Sequence, residues 1–540
     1  MATQILAGGP ILTMDAAGSQ VEAVALSGNM ILAAGRRAEV EALATEQTER
    51  IDLRGRTLLP GLIDPHGHFP LSGTFALHRV DLSAPPIGDC RRLADVFERI
   101  ADRASKTPKG QWVLGVCLDD TTLEERRFPT REELDAISKE HPIFLNHMCA
   151  HSGVANSAAL ALAGIDRDTP QPQGGHIQMD PVTGEPNGIL EEPAAMGICG
   201  RESFSVRAEQ FEECLAWSAD EYASHGVTTA QNAMCDEHLL SVFTSAAIMG
   251  KPKIRVVGLP VASLEPRILD GEIDITVPDR RRMHFGPRKL FSDGSIQIST
   301  AYLSQPYHTP FRGDAGHRGY PVYPRDELVE HICRLHEADH QIHIHANGDA
   351  AADDVLHAFR EAQERCPRED HRHTIIHGQT LRSDQLDLMA ELGVSVSFFS
   401  YHVYVWGDRH RDLFLGPERA GRINPAAEAL SKGIRFTIHN DTPVTPMRPL
   451  PLVWCAVNRL TSSGKVLGAD QRIDVMQALR CHTIDAAWQV GLENEIGSIE
   501  PGKRADLTLL DKNPLDHPET IKDISVAATI CDGRLVHGKL

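Results

Sequence analysis

Eight short apolar runs, separated by stretches of helical periodicity, constrain this chain more than any other feature. In order they are TLLPGLID, GVTTAQNA, KIRVVGLP, RKLFSD, QIHIHA, HTIIHG, VSVSFFS and IRFTIHND. Segments such as DELVEHICRLHEADH and SDQLDLMAELG stand between them, and that alternation builds parallel sheets from βα units. Eight units are the number that closes a (β/α)8 barrel. No GxGxxG follows any of the runs, which speaks against an open dinucleotide-binding sheet. The expected fold is therefore an α/β barrel of the TIM type over residues 59–496.

The two ends of the sequence differ from this core and resemble each other. ILAGGPILTM, AVALSGNMILAAG and RIDLRGRTLLPG lie near the start, IGSIEPGKRADLTLLD and ISVAATICDGRLVHG near the end. All are short β-rich runs broken by Gly and Asn. They predict one small composite β-sandwich domain from residues 1–58 and 497–540. Residues 82–206 fall between the first two central runs, are rich in Pro, Gly and loop signals, and read as an insertion over the barrel mouth.

Composition narrows the function. Lys and Arg number 54 against 74 Asp and Glu, a net charge of −20 with no basic tract, so nucleic acid and anionic membranes are disfavoured partners. No apolar run reaches the roughly 18 residues that span a bilayer, and the mean hydropathy is −0.24. The opening MATQILAGGPILTMD lacks the basic segment, apolar stretch and cleavage site of a secretory signal, which predicts a cytoplasmic protein. Eleven cysteines without a CxxC pair argue against a disulfide framework or a structural zinc ribbon. The departure from the ordinary is 27 histidines, because imidazole is commonest where metal or proton chemistry is done.

Where these histidines fall is informative. The first run ends in Asp64-Pro65-His66-Gly67-His68, and side chains two apart on a strand share a face, so His66 and His68 can serve one ion. Alone, such a pair is equally a hydrogen-bonded strand end. What favours a metal is recurrence: His345 closes the fifth run, His377 the sixth and Asp441 the eighth, on the face where barrel active sites are built. Lys289 on the fourth run has two readings, a salt bridge to a neighbour such as Asp293, or a desolvated amine that takes up carbon dioxide and becomes an anionic carbamate ligand. Four imidazoles, a carbamate and an aspartate form a mixed N/O set suited to one or two divalent ions, zinc first. Asp441 before Thr-Pro is a turn residue in the bland reading and a general base in the sharp one. SFFSYHVYVWGDRHRD follows the seventh run in a protein with only 5% aromatics. It is either core packing or a ligand wall, with His402 and Trp406 the candidates for substrate contact.

The chain resembles the metal-dependent amidohydrolase superfamily and, within it, the YtcJ-like branch (amidohydrolase family 3). The resemblance runs nearly end to end through TLLPGLIDPHGH, HSGVANSAALALAGI, QGGHI to TGEPNGILEE, HGVTTAQNA, KLFSDGS, HIHANGDAA, HGQ, NDTPV and GSIEPGKRADLTLLD. It implies a (β/α)8 barrel with an appended β-sandwich and a one- or two-metal hydrolytic centre. Carried over residue by residue, the ligands are His66, His68, Lys289, His345, His377 and Asp441, with Asp441 also the proton acceptor. Two departures stand out. His439-Asn440-Asp441-Thr442 replaces the Gly-Ser-Asp of many relatives, and Cys149 stands two residues before His151 where many carry Asp. His151 is still expected to face the pocket.

The resulting expectation is a metal-dependent hydrolase of a carbon–nitrogen bond in a small, partly apolar amide, N-acyl compound or cyclic amide. The alternatives are a mononuclear amino-heterocycle deaminase, or a metal-free barrel serving as a binding or assembly module. Gly378-Gln379 after His377, in place of a glutamate, disfavours the deaminase, and the six filled ligand positions disfavour the module. The expected partner is a small-molecule substrate, with neither nucleic acid nor membrane, and homo-oligomerisation is left open.

Overall fold

The computed structural model describes residues 1–540 apart from 206, 278 and 280. The eight central runs, with one further short strand at Met283–Phe285, form parallel strands in two sheets. One contains Leu62–Ile63, Val227–Cys235, Arg255–Pro260 and Met283–Phe285. The other contains Arg288–Phe291, Ile342–Ala346, Thr374–His377, Ser395–Phe398 and Phe436–Ile438. A parallel bridge between Val261 and Lys289 joins the sheets at one seam. At the other, His68 N donates to Thr442 O at 2.8 Å and Asp441 N to His66 O at 3.2 Å.

Alternation along the strands decides what each face does. On Ile342–Ala346 the residues Ile342, Ile344 and Ala346 belong to the main apolar core, together with Leu328, Ile332 and Leu335 of helix Arg325–Glu337 and Val355, Phe359 and Ala362 of helix Asp349–Arg365. His343 and His345 take the opposite face. Helix Ser383–Leu392 stops where Gly393 takes a left-handed φ of 70°, a conformation glycine adopts without a Cβ clash.

The first run is divided between two sheets. Thr57–Pro60 pairs antiparallel with Leu507–Leu510, whereas Leu62–Ile63 joins the central strands. Gly61 lies between them because a Cβ there would come within 2.3 Å of the Thr228 hydroxyl. Residues from both ends of the sequence build this outer sheet: Gln4–Leu12, Gln20–Ser27, Met30–Gly35, Glu49–Asp52, Thr57–Pro60, Leu507–Leu510, Val526–Cys531 and Arg534–Gly538. The boundary expected between residues 58 and 59 thus falls inside a strand. Arg255, which opens a central strand, forms a buried ion pair with Asp506 at 2.5 Å. Losing one partner of such a pair costs about 3–5 kcal/mol.

The stretch read as loop-rich has a sheet of its own. Val80–Asp81, Val113–Leu118, Ile143–His147, Ser152–Ala155, Pro186–Glu191 and His176–Met179 are hydrogen-bonded in that order, parallel over the first three and antiparallel thereafter. The upper limit expected for this insertion, residue 206, lies outside the described residues. Among the described residues no helix is long and apolar enough to cross a membrane.

Candidate active site

His66 and His68 lie beyond the first strand, not on it. Pro65 has no N–H to continue a ladder, and residues 64–68 run on as an irregular link between the strand Val227–Cys235 and the segment that follows Phe436–Ile438. Strand alternation is therefore not what aims the two imidazoles. His68 is turned instead by its bridge to Asn232, and both rings converge with Asp441.

The distances are those of a shared centre. His68 Nε2 lies 3.1 Å and His66 Nε2 3.5 Å from Asp441 Oδ1, and His377 Nε2 lies 3.9 Å from Oδ2. His377 Nε2 is also 3.1 Å from His345 Nδ1. The other nitrogen of His345 faces the carbonyl of Gly294 at 3.0 Å, which accepts its proton and leaves the Nδ1 lone pair turned to the cluster. Two ligands of a tetrahedral ion, each at about 2.0–2.1 Å, stand about 3.3 Å apart. Asp441 Oδ1 has no aligned hydrogen-bond donor although two imidazoles flank it, so the donors face a common point more than one another.

Electrostatics agree with that fit. Burial pushes His66, His345 and His377 well below the ordinary imidazole range, and the charges of Lys289 and neighbouring histidines push the same way. Neutral rings offer lone pairs. Burial would raise the Asp441 carboxyl, but His68, His439 and Lys289 outweigh it and keep the group ionised. His377 and Asp441 both hold left-handed backbone, φ 74° and 54°. Such strain persists only where the surroundings over-determine it.

Lys289 is 2% exposed, and burial lowers its amine to about 7. Its bland partner is engaged elsewhere. Asp293 accepts backbone N–H bonds from Tyr302, Asn347 and Gly348 at 2.8–3.0 Å, and burial pushes its carboxyl up to about 7.

One site residue escaped the sequence reading. His439 Nε2 lies 3.1 Å from His377 Nδ1, its Nδ1 lies 2.8 Å from Ser397 Oγ, and it groups with His377 and Asp441 as a third donor. The signal was present in the spacing of His439 and Asp441, two apart at the end of the eighth run.

His151 borders a cavity of about 360 Å³ lined by Glu192, Phe291, Asp293 and Tyr323. Its Nδ1 pairs with Glu192 at 2.7 Å, and its ring lies 5.3 Å from that of His345. Burial alone would lower its pKa, and Glu192 reverses this, holding it up at about 9. His402 is buried with its ring 6.2 Å from His377. Trp406 sits behind it in an apolar cluster with Val116, Met148 and Phe399, its indole N–H spent on Asp119 at 3.2 Å.

The chain matches the amidohydrolase family over residues 49–537. It is 31% identical to an N-substituted formamide deformylase of Arthrobacter pascens, over 97% of this chain and 96% of that protein. It is 27% identical to the putative amidohydrolase YtcJ of Bacillus subtilis, over 98% and 99%. Among solved structures, an uncharacterized metal-dependent hydrolase of Pyrococcus horikoshii superposes with a TM-score of 0.75 at 26% identity, over 96% of this chain and 99% of that one. The fold is accordingly α/β of the TIM-barrel type. The chain belongs to the amidohydrolase family and is a hydrolase of carbon–nitrogen bonds other than peptide bonds.

Proposed function

We propose that this enzyme uses a divalent metal, zinc first, to hydrolyse the amide bond of a small N-acyl compound, with N-substituted formamides as the leading class and cyclic amides next. The observation that carries the reading is the convergence of His66, His68, His377 and Asp441 at the mouth of the central strands. In this reading the two parallel sheets close as one (β/α)8 barrel, the outer sheet is a composite β-sandwich, and residues 82–206 cover the mouth. The substrate class is supported by the relative that deformylates N-substituted formamides and by Phe291 and Tyr323 beside the cavity, which suit an apolar substituent.

His66, His68, His345, His377 and Asp441 would hold the ion, and His439 would fix the ring of His377 from behind. A bound divalent ion lowers the pKa of water towards neutrality and polarises a carbonyl. The ionised Asp441 accepts the proton of the attacking water and returns it to the leaving amine. His151, held by Glu192, and His402 position the acyl compound, with Trp406 backing His402. Lys289, buried and with its amine near 7, takes up carbon dioxide as a carbamate with loss of a proton, supplying the extra anion that two ions would need. The enzyme is assigned to the cytoplasm. In place of the acid that deamination wants after His377, Gln379 is turned onto His410 at 2.9 Å.

Metal-loaded protein is screened against N-substituted formamides, longer N-acyl amines, lactams and amino-heterocycles. Release of formate from a formamide is expected, and ammonia release from a heterocycle alone would overturn the reading in favour of deamination. Purified protein without bound transition metal, gaining no activity with zinc, manganese or cobalt, would remove the metal from it. For Lys289, the expected results are density beyond Nζ in a crystal and rescue of Lys289→Ala by short carboxylic acids. A plain ammonium beside a fully occupied centre excludes the carbamate.

A further inference from the structure

The parallel strands Val113–Leu118 and Ile143–His147 end side by side, and just past those ends lies a cluster that hydrolysis leaves unused. His147 is at its centre. Nδ1 of His147 lies 2.9 Å from Cys149 Sγ, and on the other edge of the ring Nε2 lies 3.3 Å from Asp120 Oδ1. Thiol and carboxylate thus flank opposite nitrogens of one imidazole, and Nδ1 also accepts the backbone N–H of Cys149 at 3.1 Å, a bond it exchanges when it takes the thiol's proton. The three groups stand in the order of nucleophile, base and orienting acid, and not as a chelate whose donors face one point. The adjacent Asp119 is committed elsewhere, accepting from Arg409 at 2.8 Å, Trp406 at 3.2 Å and Thr121 at 2.7 Å.

The geometry around this thiol differs from that of the other buried cysteines. Burial pushes Cys117, Cys199, Cys455 and Cys531 up to about 12, which makes them inert. Cys149 has an imidazole within hydrogen-bond distance, and the backbone N–H of His151 points at its sulfur from 3.4 Å. Both features put a hydrogen-bonding group on the sulfur. Burial alone would lower His147, but negative charge on Cys149 and on Asp120 raises it well above the ordinary imidazole range, so it can hold the thiol's proton. The cluster is also coupled to the pocket. Ala150 turns the chain through a left-handed φ of 64°, and the next residue is His151, whose backbone rests on Sγ while its ring rests on Glu192.

We propose that Cys149 is a modification site, a thiol activated by His147 and Asp120 for reaction with small hydroperoxides, and that its oxidation disables the enzyme by displacing His151. Cys149 is 8% exposed, so the smallest hydroperoxide, hydrogen peroxide, is the oxidant of choice. The thiolate sulfur attacks one peroxide oxygen; the S–O bond forms as the O–O bond breaks. The departing hydroxide takes the proton held by His147 and leaves as water. Sulfur is oxidised by two electrons to a sulfenic acid and the peroxide is reduced by two. The added oxygen occupies the space into which the His151 N–H points.

The test titrates hydrogen peroxide onto the metal-loaded enzyme, traps sulfenic acid with dimedone and locates adducts on all eleven cysteines by peptide mass spectrometry. The adduct is expected at Cys149 at a rate on the order of tenfold above any other cysteine, with hydrolysis lost in step. His147→Gln should slow trapping about tenfold, and Cys149→Ser, or Cys149→Ala if the serine variant does not fold, should keep its hydrolysis through the same exposure. First trapping at another cysteine, or equal trapping with and without His147, overturns the proposal. An adduct at Cys149 with activity retained overturns the coupling to His151. That coupling rests on the hydrolase reading, but the trapping does not. An unoxidised control without hydrolysis would therefore defeat the earlier reading and leave the trapping result to stand by itself.

Discussion

The two ends of the strand Thr374–His377 carry histidine clusters of opposite character. At its carboxyl end His377 meets His345, His439 and Asp441 with lone pairs converging. Just before its amino end His373 meets His336 and His371, and there every ring nitrogen is spent. Ile342 N donates to His373 Nδ1 at 3.1 Å, His373 Nε2 pairs with His336 Nδ1 at 2.8 Å, and His336 Nε2 donates to Cys366 O at 2.7 Å. His371 accepts from His373 N at 2.9 Å and donates to Leu392 O at 2.8 Å. The first cluster is open to a cation; the second is closed on itself and ties helix, strand and loop together. A count of histidines cannot tell them apart, because the difference lies in which backbone groups face the rings.

The comparison breaks most sharply at Asp441. Asp441→Asn should cut turnover by about 10²–10⁴ with an unchanged melting temperature, and near-normal turnover would sink its role as base. His439→Ala comes next, since a residue that orients a ligand is worth about 10–100-fold in metal affinity or activity. Metal titration by calorimetry checks this, and unaltered affinity would remove His439 from the site. At the other end the effect should fall on stability alone. His373→Ala strands the Ile342 N–H and the His336 ring, at a cost of roughly 1–3 kcal/mol. Denaturant unfolding measures it, and metal content should stay at the wild-type level; loss of metal would mean the two ends are not separate.

The smallest effect is in pH. Burial depresses His336, His371 and His373 in the folded chain, with Arg368 adding to all three and neighbouring histidines to His371 and His373, so the unfolded chain binds more protons once the pH falls below about 6.5. Stability from this cluster is complete above that pH and declines as the pH drops through it towards the depressed folded values. The decline should be shallower in a His336→Gln, His371→Gln variant. An identical pH dependence in the two proteins would show that the cluster does not titrate on unfolding.

What was legible in the sequence follows the same division. Period-two runs such as QIHIHA announce a strand with one apolar face and one histidine face, and His66, His68, His345, His377 and Asp441 could be picked out as candidates from their places at or just past the ends of the runs. Partners were not readable. The loop geometry of Pro65 to His68 depends on hydrogen bonds to residues more than 150 positions away in sequence, and the role of His439 depends on Ser397 and His377 across the sheet. The sheet of residues 80–191 was hidden because its strands are short and interrupted by Pro and Gly, while several, such as VLGVCL, are buried on both faces and show no alternation.

The shared run around Gly61 has a consequence for biosynthesis. Thr57–Pro60 pairs with Leu507–Leu510, which the ribosome adds roughly 450 residues later, an interval of about 20–90 s at ordinary elongation rates. Throughout that time Leu58 and Leu59, fully buried in the finished protein, belong to a strand with Gln4–Leu12 on one side and nothing on the other, the kind of edge that recruits foreign strands. The enzyme therefore completes its outer sheet only after nearly all of it has been synthesised, and its yield in a cell should depend on holdase chaperones that shield the nascent chain more than on the stability of the finished fold.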